Sequence, residues 1–307
     1  MKLRQIKKHN YALAGVIEAL LLVALVAIIL ATIQLMYVPM IMEEKEAEHM
    51  DLVANQYSQI KSVIEIQSMM GISSSSEPLA YSPTSSPITL WGEKLPYFVS
   101  MASMGQLNII DEEATGSSLI NIQPASTDFP NGIPLTLIKA TLSYYYLDIP
   151  GDYYFVLEGG GVILRQPSRD GTAESMRVLP AITVEDQTTS VKINWNIPLF
   201  VSKPGKNVSG LKHCYIRTNY TKHYTHTDNS ITFIHIYTDY LKAWNMSLIK
   251  DDSGILYEPY DNGYINVNFD DPQDPTRIEI TPGTKNIDVE LTIVEIGVQV
   301  GPGFVAE

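Results

Sequence analysis

The stretch HCYIRTNYTKHYTHTDNSITFIH, residues 213 to 235, gathers His213, His223, His226 and His235, four of the chain's six histidines, with its single cysteine, Cys214. Imidazole and thiolate are the usual ligands of zinc and other first-row metals, so this density raises metal chemistry. The spacing argues against it. In an extended chain successive side chains point to opposite faces, which separates His213 from Cys214 and His223 from His226. The reading adopted is a half-exposed sheet carrying His and Tyr, with the four histidines as weak candidate ligands and no metal or other cofactor expected.

A second cluster, DNGYINVNFDDPQDP, places oxygen donors at Asn266, Asn268, Asp270, Asp271 and Asp274. Calcium would accept such ligands, but the glycine and closing glutamate of a helix-loop-helix calcium site are missing. Asp261-Asn262-Gly263 reads instead as a hairpin turn before an edge strand. No nucleophile elbow, phosphate loop, zinc-protease helix or dinucleotide fingerprint occurs, so no enzyme is expected. The formal charge of −13, with 34 acidic against 21 basic residues, excludes a nucleic-acid partner, which needs clustered Lys and Arg. One cysteine allows no internal disulfide.

The remaining charge of interest is Glu18, at the start of the apolar run NYALAGVIEALLLVALVAIIL. From Tyr11 to Met42 only Glu18, Thr32 and Gln34 are clearly polar, and as a helix this segment would reach roughly 48 Å, against about 30 Å for a bilayer core. A cleavable secretory signal has a shorter apolar region ending in small residues, whereas this run ends in MYVPMIMEEKE. Lys2, Arg4, Lys7 and Lys8 precede the run, and Glu43, Glu44, Glu46, Glu48 and Asp51 follow it. The positive-inside rule then orients a single-pass anchor with its N-terminus cytoplasmic and the remainder extracellular. Glu18 would sit at the inner interface, snorkelling to water.

A short basic leader (MKLRQIKKHN), small residues, a glutamate and a long apolar helix together resemble the class III signal of archaeal type IV pilin-like proteins. The resemblance implies trimming of the leader on the cytoplasmic side and an assembly role for Glu18, paired with a neighbouring subunit's new N-terminal amine. Glu18 becomes the fifth mature residue only if cleavage follows Leu13. A cut beside Ala12 or Ala14 gives another offset, and an uncleaved anchor is the alternative.

Beyond the membrane Met50, Val53, Tyr57, Ile60 and Ile64 recur at helical spacing, with Asp51, Gln56, Gln59 and Lys61 assigned to the outer side. Pro39 should loosen this helix near the outer interface, and Gly71 should end it. The Ser- and Pro-rich residues 71–87 read as a linker. From Ile88 onward short Ile/Val/Thr/Tyr runs separated by Pro, Gly, Asp and Asn predict an antiparallel, sandwich-like all-β head. EGGGVIL reads as a strand bend or bulge. One short amphipathic helix interrupts the strands at TDYLKAWNMSLIKDDSG, capped by Asp239, docked by Trp244 and closed by Gly254.

The overall class is α+β: leader 1–11, transmembrane helix 12–42, amphipathic stalk helix 43–70, linker 71–87 and β ectodomain 88–307. SSPITLWGEKLPYFVSMASMGQLNI, YYFVLEGGGVILRQ and YTDYLKAWNMSL also resemble archaeal surface proteins with a pilin-type N-terminus, known from methanogens and haloarchaea. That resemblance implies location and architecture and no activity. Sequons stand at Asn207, Asn219 and Asn245, the first two in polar stretches suited to glycans. Tyr144, Tyr145, Tyr146, Tyr153 and Tyr154 read as cross-strand packing. The expected function is a pilin-like surface protein, a minor or filament-associated subunit, whose partners are membrane lipid and other pilin-like subunits. The alternative is a monomeric anchored module for binding or adhesion.

Overall fold

The computed structural model describes residues 3–73, 83–92, 103–111, 118–125, 128–202, 206–210, 212–250, 253–269 and 276–302, with side chains from residue 14 onward. A continuous helix opens the chain. Helix α1 (Leu3–Thr32) passes through a π-helical turn (Ile33–Tyr37) into α2 (Val38–Ser73). The π turn lies where Pro39 forces it. Proline has no N–H and its ring crowds the preceding turn, and one turn back the Val38 N–H reaches the Ile33 carbonyl, five residues away instead of four.

Among the described residues sixteen strands and two short helices follow. They are β1 (Thr84–Thr89), β2 (Met104–Ile110), β3 (Leu119–Gln123), β4 (Ile133–Pro134), β5 (Leu137–Tyr144), β6 (Gly151–Glu158), β7 (Gly161–Ser168) and β8 (Gly171–Val178). Next come β9 (Ile182–Asp186), β10 (Ser190–Ser202), β11 (Asn207–Ser209), β12 (His213–Ile231) and β13 (Phe233–Tyr237). Helices α3 (Leu241–Leu248) and α4 (Tyr257–Asp261) precede β14 (Ile265–Asn268), β15 (Arg277–Pro282) and β16 (Asn286–Gly301). The strands form three sheets, ordered β1-β12-β16-β10-β9, β11-β2-β5-β6-β7-β8 and β14-β15-β13-β3-β4. Pairing is antiparallel except between β10 and β16, which run parallel because all of β11 to β15 intervenes as the crossover. The expected α+β layout, a long apolar helix followed by a β-rich head, is what the chain adopts.

Two apolar cores result. In the first, Val53, Tyr57, Ile60 and Ile64 of α2 pack on Leu107, Ile138, Phe155, Ile216, Ile296 and their neighbours. The second joins Trp195 and Leu291 to Ile234, Ile280 and Trp244 of α3. β16 serves both, Ile287 to Ile293 facing one core and Val294 to Val300 the other.

Several local expectations are corrected. Gly159 and Gly160, with φ of +56° and +85°, form the two-residue turn of the β6–β7 hairpin, and the irregularity expected in EGGGVIL lies beyond the glycines, where the β7–β8 register shifts between Val162 and Ile163. Residues 84–87 of the expected linker belong to β1, while 74–82 lie outside the described residues. Asp239 does not cap α3. Tyr240 is its N-cap, the Tyr240 N–H is bonded to the Thr238 hydroxyl, and the helix closes at Ile249, well before Gly254. Asp261-Asn262-Gly263 ends α4, Gly263 taking φ +66°, though β14 is the edge strand expected after it.

Gly71 does not stop α2, which continues to Ser73. It is buried, and a Cβ there would collide with the ring of Tyr220 on β12. Glycine is therefore present for close approach. Gly71→Val is expected to destabilise the head by about 1–3 kcal/mol through overpacking, read as a lowered thermal midpoint; an unchanged midpoint would show that the helix end is not seated on Tyr220.

Candidate functional site

The junction of α2 with the head concentrates the polar contacts. Glu46 is 2% exposed, and its carboxylate accepts the N–H groups of Tyr145 (3.0 and 3.1 Å), Tyr146 (2.7 Å) and Leu147 (3.1 Å). Consecutive backbone N–H groups turned to one point form an anion-binding nest, here filled by a side chain of the protein's own helix. Hydrogen bonds to a charged acceptor contribute roughly 1.5–3 kcal/mol each, so this contact fixes one end of the helix firmly.

One turn on, His49 lies between Thr89 and Tyr144. Its Nε2 is 3.0 Å from the Thr89 carbonyl and its Nδ1 2.9 Å from the Tyr144 hydroxyl. A carbonyl only accepts, so Nε2 carries the proton and Nδ1 accepts from Tyr144. Burial holds the imidazole below its ordinary value of 6.5, in the neutral form this geometry needs. Gln56 completes the seam: Nε2 donates to the Thr89 hydroxyl at 3.1 Å, and Oε1 accepts the Thr89 N–H at 2.9 Å. Further along, Gln67 Nε2 donates to the Thr84 hydroxyl at 3.2 Å and the Thr218 carbonyl at 3.1 Å. The helix thereby satisfies both backbone groups of Thr89, at the end of edge strand β1.

Gln56 and Lys61, assigned to the outer side by periodicity, are therefore buried. The head wraps both flanks of α2, so the buried arc exceeds the apolar stripe. The stem of Lys61 lies in the wall of a groove beside Ile64 and Leu157, and its ammonium pairs with Glu65.

The four candidate histidines do not converge. Ten residues of β12 separate His213 from His223, roughly 33 Å of extended chain. His213 lies 3.4 Å from the Thr89 hydroxyl, and His223 Nδ1 lies 2.7 Å from the Tyr220 hydroxyl. His226 is half-buried on the same strand. His235 belongs to another sheet, stacked on Phe233 and 3.0 Å from Glu279. Among the described residues no group of three or more His, Cys, Asp or Glu could hold a metal. Burial pushes the Cys214 thiol up to about 12, which makes it inert as a thiolate.

Asn266 and Asn268 face solvent on β14, while Asp270, Asp271 and Asp274 lie outside the described residues. Asn207 is exposed on edge strand β11. Asn219 is half-buried with its Oδ1 enclosed, so that sequon is less open than its polar surroundings suggested. Tyr144 and Tyr153 pack edge to face at 5.1 Å, while Tyr145 is exposed. Glu18 is exposed on α1 among apolar residues; Lys2 lies outside the described residues, as do the side chains of Arg4, Lys7 and Lys8.

Sequence reasoning missed Glu158. It is fully buried at the β6–β7 hairpin, and neither carboxyl oxygen has a partner in hydrogen-bond geometry. Burial first, then the nearby charges of Asp239 and Glu174, push it up to about 8, with Thr238 offsetting part of the shift. An apolar strand ending in Glu-Gly-Gly-Gly was the available signal, since a hairpin tip buried beneath Trp244 has no water to give a carboxylate.

Two titrations follow. His49 is depressed in the fold, so its contribution is fully present above pH 6.5 and is lost as pH falls below it. Thermal midpoints measured downward from pH 7.5 should drop faster for wild type than for His49→Gln; parallel curves would contradict the neutral, buried assignment. Glu158 has the opposite sign. Its neutral form is favoured by folding, so stability should fall as pH rises from 4.5 through about 8, by up to about 5 kcal/mol. Glu158→Gln should flatten that slope, and an unaltered slope would refute it. Comparison with family models, curated proteins and solved structures gave no match, so the functional reading rests on this geometry.

Proposed function

We infer that this chain is a pilin-like, membrane-anchored surface protein that carries a β-rich head on its N-terminal helix. The observation that supports this is the division of one helix into two environments. From Ala14 to Tyr37 no residue is buried and Leu20, Leu25, Ile28 and Leu35 are each more than half exposed, whereas burial begins at Val38. That exposed stretch spans roughly 36 Å at 1.5 Å per residue, enough for a bilayer core. Among the described residues one helix, Ala14–Ser73, is long and apolar enough to cross a membrane. Water does not tolerate such a surface, so lipid or the helices of neighbouring subunits must cover it.

The basic residues before the span and the acidic ones after it support an orientation with the N-terminus in the cytoplasm and the head outside. From Val38 onward one side of α2 is covered by the head while Leu52, Ile66 and Met69 stay exposed, so the segment that carries Glu18 is the part of the helix open to neighbours on every side. Glu18 is then the one acidic group in the exposed apolar stretch, and a partner amine on another subunit would offset its desolvation.

Fractionation of native cells tests the reading. The full chain should be found with membranes or with sheared surface fibres, and in-membrane cross-linking should give multimers that Glu18→Ala diminishes. Multimers unaffected by that change would refute pairing through Glu18. A single uncross-linked species would favour the anchored monomer, and recovery from cytosol without detergent would overturn anchoring itself.

A further inference from the structure

The solvent-facing side of the β5–β8 strands brings two cations together in a chain whose net charge is −13. Lys139 on β5 holds its ammonium 4.5 Å over the ring of Tyr154 on β6, and Tyr154 is the cross-strand partner of Arg165 on β7. Among the described residues Lys139 forms no ion pair. Its pKa is lowered by burial and by the neighbouring Arg165, with Asp239 partly opposing. Arg165 keeps a third of its side chain exposed, and its Nε lies 3.6 Å from Glu174 Oε1, a carboxylate that is itself buried. The other Glu174 oxygen accepts the Lys242 N–H at 3.2 Å, and the Lys242 ammonium donates to the Thr172 carbonyl at 3.4 Å. Glu174 is thus committed to Arg165 and to α3, while a third of the Arg165 side chain stays open on the cleft side.

These groups border an open cleft of about 340 Å³ lined by Lys139, Asp152, Tyr154, Arg165, Gln166 and Pro167. Two like charges held side by side at a partly desolvated site repel, and a bound oxyanion converts that repulsion into two charge-assisted hydrogen bonds. The rest of the lining is neither apolar nor uniformly basic. Asp152, which accepts the Ser143 hydroxyl at 2.5 Å, and Gln166 present acceptors and donors for hydroxyl groups. Tyr154 and Pro167 add flat apolar faces. The volume is at the small end of ligand clefts and suits a single ring.

We propose that this cleft binds an acidic saccharide, with the sugar's carboxylate or sulfate between Lys139 and Arg165 and its hydroxyls toward Asp152 and Gln166. The assignment is independent of how the chain is anchored. Titration calorimetry on the full chain in detergent at low salt tests it, with glucuronate, glucose and inorganic sulfate as probes. Glucuronate should bind saturably, sulfate should compete with it, and glucose should not bind. Lys139→Gln and Arg165→Gln should each weaken glucuronate at least tenfold, with Arg165→Lys recovering part of the loss. Lys139→Gln breaks no ion pair, so it carries the test even if Arg165→Gln unsettles Glu174. Absence of saturable glucuronate binding, equal affinity in both variants, or glucose binding as tightly as glucuronate would overturn the proposal.

Discussion

A buried carboxylate ties the helix to the head. Glu46 leaves water entirely, and only the three convergent N–H groups of residues 145–147 make that tolerable. The contact lies close to the point where the helix passes from its exposed apolar half into the head. Without it, the turn Tyr145–Leu147 would carry unsatisfied donors and α2 an unpaired buried charge, each costing free energy. His49, Gln56 and Gln67 extend the same logic along the helix, each satisfying strand groups that would otherwise be stranded. The seam is therefore specific as well as stabilising: sliding α2 by one residue would break all four sets of bonds together.

Apolar packing supplies the bulk of the stability and the seam supplies its register. Tyr57, Ile60 and Ile64 fill the gap between two sheets, and β16 carries that core into the second one, where Trp195 and Trp244 meet at 5.6 Å. β10 and β12 likewise place residues in both cores, so the two share several strands. The sheets of the head thus share their cores around one helix, and the proposed cleft lies on the β5–β8 face of one of those sheets.

Much of this was legible in the residues. The apolar run, the proline that disturbs it, the β grammar of the head and the Trp-docked helix all follow from local rules, because hydrophobic spacing and turn residues act over a few positions. What periodicity could not give was anything set by distant strands. Gln56 and Lys61 look like solvent residues until the head closes on both flanks of the helix. Gly71 looks like a helix stop until Tyr220 arrives from β12. Glu158 carries only the weak signal of its Gly-Gly-Gly neighbours, because the covering tryptophan comes from much later in the chain. The histidines looked clustered because they are near in sequence, yet a long extended strand spreads them out.

The central claim is that one rigid helix joins the apolar anchor to the head. Pulsed electron-spin distance measurement tests it most directly, with labels at Leu22 on the exposed half and at Leu179 on the head surface, in lipid bicelles. Both positions are solvent- or lipid-facing, and Cys214 is buried away from the label. The account predicts one narrow distance distribution; a broad or multimodal distribution would show that the head swings freely on its anchor and would contradict it.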